Sequence, residues 1–297
     1  MDIKVLALKF YDFSLYMRGY SKDTIKRYRN IINAFCKFAE VTELEEVNED
    51  LVRRMFYDGR TKRKWKANTF ICYHKSLLVF FRWCIQEKYM ETNPVENIEC
   101  PKLEKRIPPK LTKQQANRLL EIVYNYPYQY DYLRYRNHAI FATFLLAGIR
   151  KRELINLKLT DVDTENMTIF IRQGKGAKDR IVPICYKLAD SLKKYLKHRE
   201  RLHKTAPEFF CSLNRNMGIT DVGIKRMIET FRKESEVDFT AHKLRHTFAT
   251  LMLESGCDIF SLSKMLGHND IKTTTVYLAA SAEHLRRQIT KHPLNDL

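Results

Sequence analysis

Four residues between Thr240 and Tyr277 have the types and spacing to do chemistry on a phosphate. The stretch opens TAHKLRHTFATLMLESG and closes LGHNDIKTTTVY, and so holds His242, Arg245, His268 and Tyr277. His242 and Arg245 stand three apart behind Thr240, a residue suited to cap a helix, and that spacing sets both side chains on one helical face. A guanidinium grips phosphate oxygens, imidazoles donate to them or move protons, and a phenol can attack phosphorus. Each residue taken singly reads more simply as a packed or surface side chain. The tract also has a second reading as a whole, because helix, glycine and helix from Ser261 to Tyr277 match a helix-turn-helix that reads DNA without cutting it.

The elements that must position these residues are legible nearby. Phe248, Leu251 and Met252 are expected as the buried side of the first helix, which Gly256 ends. Asp258 is placed to cap a short helix carrying Ile259, Leu262 and Met265, and Gly267 is expected to stop it in a left-handed turn just before His268. Upstream, Thr112 and Gln115 form a capping box for LTKQQANRLLEIV. The tyrosines at 124, 126, 128, 130, 132 and 135 read as an irregular surface connection. HAIFATFLLAG is an apolar helix ending at Gly148, followed by Arg150 at the head of KRELINL, where Glu153, three residues on, can brace the guanidinium. Thr168 to Arg172 and Arg180 to Ile184 are β-rich, joined by GKGAK, which puts Lys175 at the tip of a hairpin. No GxxxxGK[ST] accompanies those glycines, so a nucleotide loop is not expected.

Residues 1–98 read as all-helical. Tyr11 to Met17 and Ser21 to Phe38 are amphipathic, and a helix from about Asn68 to Glu87 turns Phe70, Tyr73, Leu77, Phe80, Phe81 and Cys84 inward, leaving His74, Lys75 and Arg82 for the other face. Arg60, Lys62, Arg63, Lys64 and Lys66 cluster at the start of that helix, where backbone amides also favour anions, so phosphate contacts are expected there and at Lys75. A proline-rich linker, 99–109, separates this domain from residues 110–297.

Composition narrows the function. The 297 residues carry a net charge of +18, which favours a polyanionic partner, chiefly nucleic acid. Both parts are positive: 21 basic against 15 acidic residues before Lys110, and 32 against 20 from there on. No run of 18 apolar residues and no signal peptide occurs, so a cytoplasmic protein without membrane spans is expected. Seven cysteines, with no CxxC pair, argue against a zinc site and a disulfide framework.

In order and approximate spacing, AGIRKREL, GKGAKDRIVP, TAHKLRHTFAT and LGHNDIKTTTVY resemble the catalytic blocks of the tyrosine recombinases, the phage-integrase family, and the likeness is nearest to the short Xer-type enzymes. The resemblance implies a mainly α fold with a small antiparallel β-sheet: a helical core-binding domain, then a mixed α+β catalytic domain. It implies that Tyr277 attacks the scissile phosphodiester of double-stranded DNA to give a 3′-phosphotyrosyl enzyme, with no cofactor and no metal. Arg150 and Arg245 would grip the nonbridging oxygens and His242 and His268 would bond the phosphate, His242 being the better candidate to help deprotonate the tyrosine. Lys175, with Lys178 as the alternative, would protonate the leaving 5′-oxygen, and Glu153 would orient the arginine and histidine pair. The family resemblance also implies a tetrameric synapse in which the tail, EHLRRQITKHPLNDL, docks between protomers. A type IB topoisomerase, which reseals the same strand, and a non-cutting regulator are the competing classes.

Overall fold

The computed structural model describes residues 1–103, 108–172, 179–268 and 270–279, with the side chains of the last two left aside. Its contacts divide the chain into Met1–Lys105 and Arg106–Leu297. The fold is mainly helical with one small antiparallel sheet. Among the described residues no helix is long and apolar enough to cross a membrane.

The first unit is a helical bundle. Asp2 caps α1 (Ile3–Asp12), its Oδ1 accepting from the Lys4 and Val5 amides at 2.6 and 3.2 Å. The amphipathic segment expected from Tyr11 to Met17 is therefore corrected: the helix begins eight residues earlier and closes in a π-helical turn, Phe13–Met17, that leaves Tyr16 and Met17 exposed. Ser21 caps α2 (Lys22–Ala39), which buries Ile25, Tyr28, Ile31, Ile32 and Phe35. These pack with α3 (Glu49–Thr61) and α4 (Ala67–Gln86). Phe80 meets Phe10 edge-on at 5.4 Å, and Phe81 meets Phe35 at 5.8 Å. Aromatic pairs of this kind add to the burial of their area. His74, expected on the outer face, turns inward, 6.0 Å from the Phe56 ring.

The second unit opens with α5 (Lys113–Asn125), and its capping box is formed: the Gln115 amide donates to Thr112 Oγ1 and the Thr112 amide to Gln115 Oε1. Next comes α6 (Asp131–Leu146), and here the expected tyrosine-rich connection is corrected: an irregular link is present at residues 126–130 but is shorter than expected, with Tyr124 at the end of α5 and Tyr132 and Tyr135 inside α6. The helix starts at Asp131, Tyr132 is buried with its hydroxyl donating to the Cys211 carbonyl at 2.9 Å, and Tyr135 stacks on His198 at 4.1 Å. A tyrosine is amphipathic, and once its hydroxyl finds a carbonyl it is core. After α7 (Lys151–Asn156) come β1 (Val162–Asp163), β2 (Thr168–Ile171) and β3 (Arg180–Pro183), paired in that order, with Val162 opposite Ile169 and Ile169 opposite Val182. Ile169, Ile171 and Val182 fill one face. The GKGAK turn with Lys175 and Lys178 lies outside the described residues, as do positions 104–107 of the linker.

Then follow α8 (Tyr186–Arg201), α9 (Asp221–Ser235), α10 (Ala241–Glu254), α11 (Ile259–Leu266) and α12 (Lys272–Ala279). Thr240 caps α10 and Asp258 caps α11, each through its side-chain oxygen. The buried side of α10 differs from expectation at its end: Phe248, Ala249 and Leu253 are buried, whereas Leu251 and Met252 are only half-buried. Phe248, Ala249 and Leu253 join Leu262, Leu266 and Tyr277 in a small core of their own.

Candidate active site

Arg150 precedes α7, and Glu153 is fastened to it twice: Glu153 Oε2 accepts from the Arg150 amide at 2.8 Å and Oε1 from its Nη1 at 2.7 Å. A second guanidinium completes the arrangement. Arg180, at the start of β3, donates through Nη1 and Nη2 to both carboxylate oxygens at 2.9 and 2.8 Å, and through Nε to the Met265 carbonyl. Burial alone pushes the Glu153 carboxyl up, but the hydrogen bonds and charge of Arg180, with those of Arg150, carry it down to about 2.

Two left-handed glycines aim carbonyls at the arginines. Gly148 (φ 60°) lies against Phe248, whose ring an added Cβ would meet at 2.2 Å, and its carbonyl accepts from Arg245 Nη1 at 2.6 Å. Gly267 (φ 63°) lies against Arg180, and its carbonyl accepts from Arg150 Nη2 at 3.0 Å. Only glycine adopts this backbone without strain. Arg245 Nη2 also donates to the Leu266 carbonyl at 2.6 Å and approaches His268 Nε2 at 3.2 Å. Arg245 is 4% exposed; burial, then the Arg150 charge, lower it to about 10, so it stays charged at neutral pH.

His268 Nδ1 pairs with Thr274 Oγ1 at 2.8 Å. With Arg245 donating to Nε2, the ring is neutral and carries its proton on Nδ1. Tyr277 is buried, its ring parallel to that of His268 at 6.4 Å, and its hydroxyl lies 2.8 Å from His246 Nδ1. His242, one turn earlier on α10, is exposed; partial burial and the charges of Arg245, Lys151 and Arg150 lower its pKa. Arg150, His242, Arg245, His246, His268 and Tyr277 line one cavity of about 550 Å³. Among the described residues no group of His, Cys, Asp or Glu could hold a metal ion.

The model of the Phage integrase family matches residues 109–284, and that of the phage integrase N-terminal SAM-like domain matches residues 8–91. The chain belongs to the phage integrase family. It is 32% identical over 287 residues to Tyrosine recombinase XerC of Thermodesulfovibrio yellowstonii, covering 94% of this chain and 93% of that protein. The crystal structure of XerA recombinase is 28% identical with a TM-score of 0.55, covering 97% of this chain and 98% of that one. XerH site-specific recombinase bound to palindromic difH substrate, in a post-cleavage complex, has a TM-score of 0.75 at 22% identity, covering 92% and 81%. The tyrosine recombinases are thus the group to which this chain's chemistry belongs.

Two residues at the site escape sequence reasoning. Arg180 follows GKGAKD, and its signal was being a lone arginine at the start of a strand. His246 follows Arg245 directly, and its signal was the four-residue step from His242, which returns it to the same helical face. In the first unit Arg60, Lys62, Arg63, Lys64, Lys66 and Lys75 are all exposed, but three have partners already. Arg60 donates to the Trp65 carbonyl, Lys62 pairs with Asp58 at 2.8 Å, and Arg63 sits 5.4 Å over the Phe38 ring.

Proposed function

We propose that this site-specific DNA recombinase cuts with Tyr277, and the observation that carries the reading is the convergence of Tyr277 with Arg150, His242, Arg245 and His268 on one cavity. The phenol attacks the scissile phosphorus, leaving a 3′-phosphotyrosyl link and a free 5′-hydroxyl. A 5′-hydroxyl from another duplex then attacks that link, so the bond energy is kept and no nucleotide is consumed. Arg150 and Arg245 grip the nonbridging oxygens with planar forks pre-set by carbonyls and Glu153, and so stabilise charge that builds in the transition state. His242 bonds the phosphate, His268, whose two nitrogens are engaged by Thr274 and Arg245, is assigned to positioning Arg245 beside it, and Lys175 protonates the leaving oxygen. The exposed cations of the first unit contact the duplex backbone.

Exchange between two duplexes cuts four strands, and with one such tyrosine per chain that makes a tetramer on DNA. The tail, which lies outside the described residues, is assigned to the contact between protomers. The Xer-type role, in chromosome or plasmid resolution, is preferred over mobile-element integration because the XerC likeness spans nearly the whole chain. A cytoplasmic location follows from that role.

Cleavage and exchange between two duplexes bearing the binding site are expected to proceed in excess EDTA, while binding weakens steeply as salt displaces the phosphate contacts. Activity lost to chelator and restored by magnesium would mark a nuclease, and relaxation without exchange a topoisomerase. Lys175→Ala is expected to slow cleavage by about 10²-fold or more. A 5′-bridging phosphorothiolate, whose sulfur leaves without a proton, should largely restore the rate. Rescue seen with Lys178→Ala instead would transfer the acid role to Lys178.

A further inference from the structure

We propose that His246 is the residue that holds the Tyr277 hydroxyl and takes its proton as the tyrosine attacks phosphorus. The inference rests on Tyr277 being the nucleophile. Its basis is geometric: among the described residues, His246 is the one whose side chain hydrogen-bonds that hydroxyl, through Nδ1 at 2.8 Å, with the rings 5.4 Å apart. Both nitrogens of His268 are engaged, by Thr274 and by Arg245, so the ring beside the tyrosine has no lone pair left to offer it. His242 opens to solvent and makes no bond to the hydroxyl.

The electrostatics suit the assignment. Burial makes the Tyr277 phenol harder to ionise, an effect that the Arg245 and Arg150 charges only partly offset, so the tyrosine enters the reaction protonated and needs an acceptor. Burial, then the neighbouring His242 and Arg245, hold the His246 imidazole below its ordinary pKa, so at neutral pH it is unprotonated and able to accept. The charged or titratable groups around the pair are His242 and Arg245 on α10, Arg150 before α7, and His268 and Asp270 between α11 and α12. Of these only Asp270 is acidic, and it lies exposed.

The step balances. The Tyr277 O–H bond breaks and its proton passes to His246 Nδ1; the Tyr277 oxygen bonds phosphorus; the P–O5′ bond breaks, and O5′ takes a proton from the Lys175 ammonium. One proton is received and one released, so the site keeps its charge. On rejoining, the His246 imidazolium returns its proton to the departing phenolate.

The test is single-turnover cleavage of a nicked 5′-phosphorothiolate duplex from pH 6 to pH 9, where leaving-group protonation is not needed. His246→Ala and His246→Asn are compared with the wild type, the asparagine Oδ1 standing where Nδ1 was, able to accept a hydrogen bond but not a proton. Both variants should bind the duplex normally and cleave about 10²-fold or more slowly at pH 7. The wild-type rate should level off above the histidine pKa, whereas His246→Asn should keep rising about tenfold per pH unit, because the phenolate must then form from bulk solvent. A wild-type rate in His246→Ala, or an asparagine variant that regains the wild-type rate and pH profile, overturns the proposal and leaves a packing role. So does a pH profile changed only by His242→Ala. An adduct formed by Tyr277→Phe in the same assay would instead remove the nucleophile assignment, a separate failure.

Discussion

Tyr277→Phe is expected to bind its duplex site as tightly as the wild type and to yield no covalent adduct on a nicked substrate. The substitution removes one oxygen. The ring keeps its place against Phe248, Leu253, Leu262 and Leu266, and the lost hydrogen bond to His246 involves a half-buried ring that water can reach, so stability should change by about 1 kcal/mol or less. What disappears is the atom that bonds phosphorus, and among the described residues the cavity lining holds no serine or cysteine to replace it, its one other hydroxyl being that of Thr273. The measurement is the yield of a detergent-resistant protein–DNA complex on a denaturing gel. A full yield from the variant would put the nucleophile elsewhere in the chain.

Glu153→Ala should cost the largest stability of any single change at the site, roughly 3–5 kcal/mol, because it leaves the partly buried Arg150 and Arg180 facing each other without their shared carboxylate. The sign of the pH effect follows from the depressed pKa. The carboxyl is held at about 2, against an ordinary 4.5, so its contribution is complete above the unfolded-state value and is lost as pH falls towards the folded-state one. A shift of that size corresponds to roughly 3 kcal/mol. Urea denaturation at pH 7 should therefore separate wild type and variant widely, and the gap should narrow between pH 5 and pH 2. Equal midpoints at pH 7 would show that water replaces the carboxylate at little cost. Cleavage should fall as well, since Arg150 loses the partner that orients its fork.

Local signals made much of this molecule readable. Caps at Thr112, Thr240 and Asp258 mark helix starts by side-chain chemistry that acts within three residues. The Arg150 to Glu153 pairing is likewise an effect of helical spacing, and the left-handed glycines at 148 and 267 announce turns that other residues adopt only with strain. What stayed hidden depends on partners distant in the chain. Arg180 reaches Glu153 across 27 residues, and Tyr277 reaches His246 across 31. Tyr132 reads as loop until the Cys211 carbonyl, 79 residues away, satisfies its hydroxyl. At the amino terminus the cue was present, because Asp2 precedes an apolar period at Ile3, Leu6, Ala7 and Phe10. The π-helical turn after Asp12 shifts that period and obscured it.

Helix α10 carries His242, Arg245 and His246 within five consecutive residues, so the phosphate grip and the tyrosine's partner are graduations on one rigid gauge. Their separation is set by the pitch of the helix and is insulated from the loops that join it to its neighbours. Inserting or deleting one residue among them would swing everything beyond it by about 100° around the axis, parting the charge that holds the electrophile from the base that serves the nucleophile. The connections on either side of the helix are under no such constraint. Variation in length can therefore accumulate in the turns before Thr240 and after Glu254 while the register of the chemistry stays unchanged.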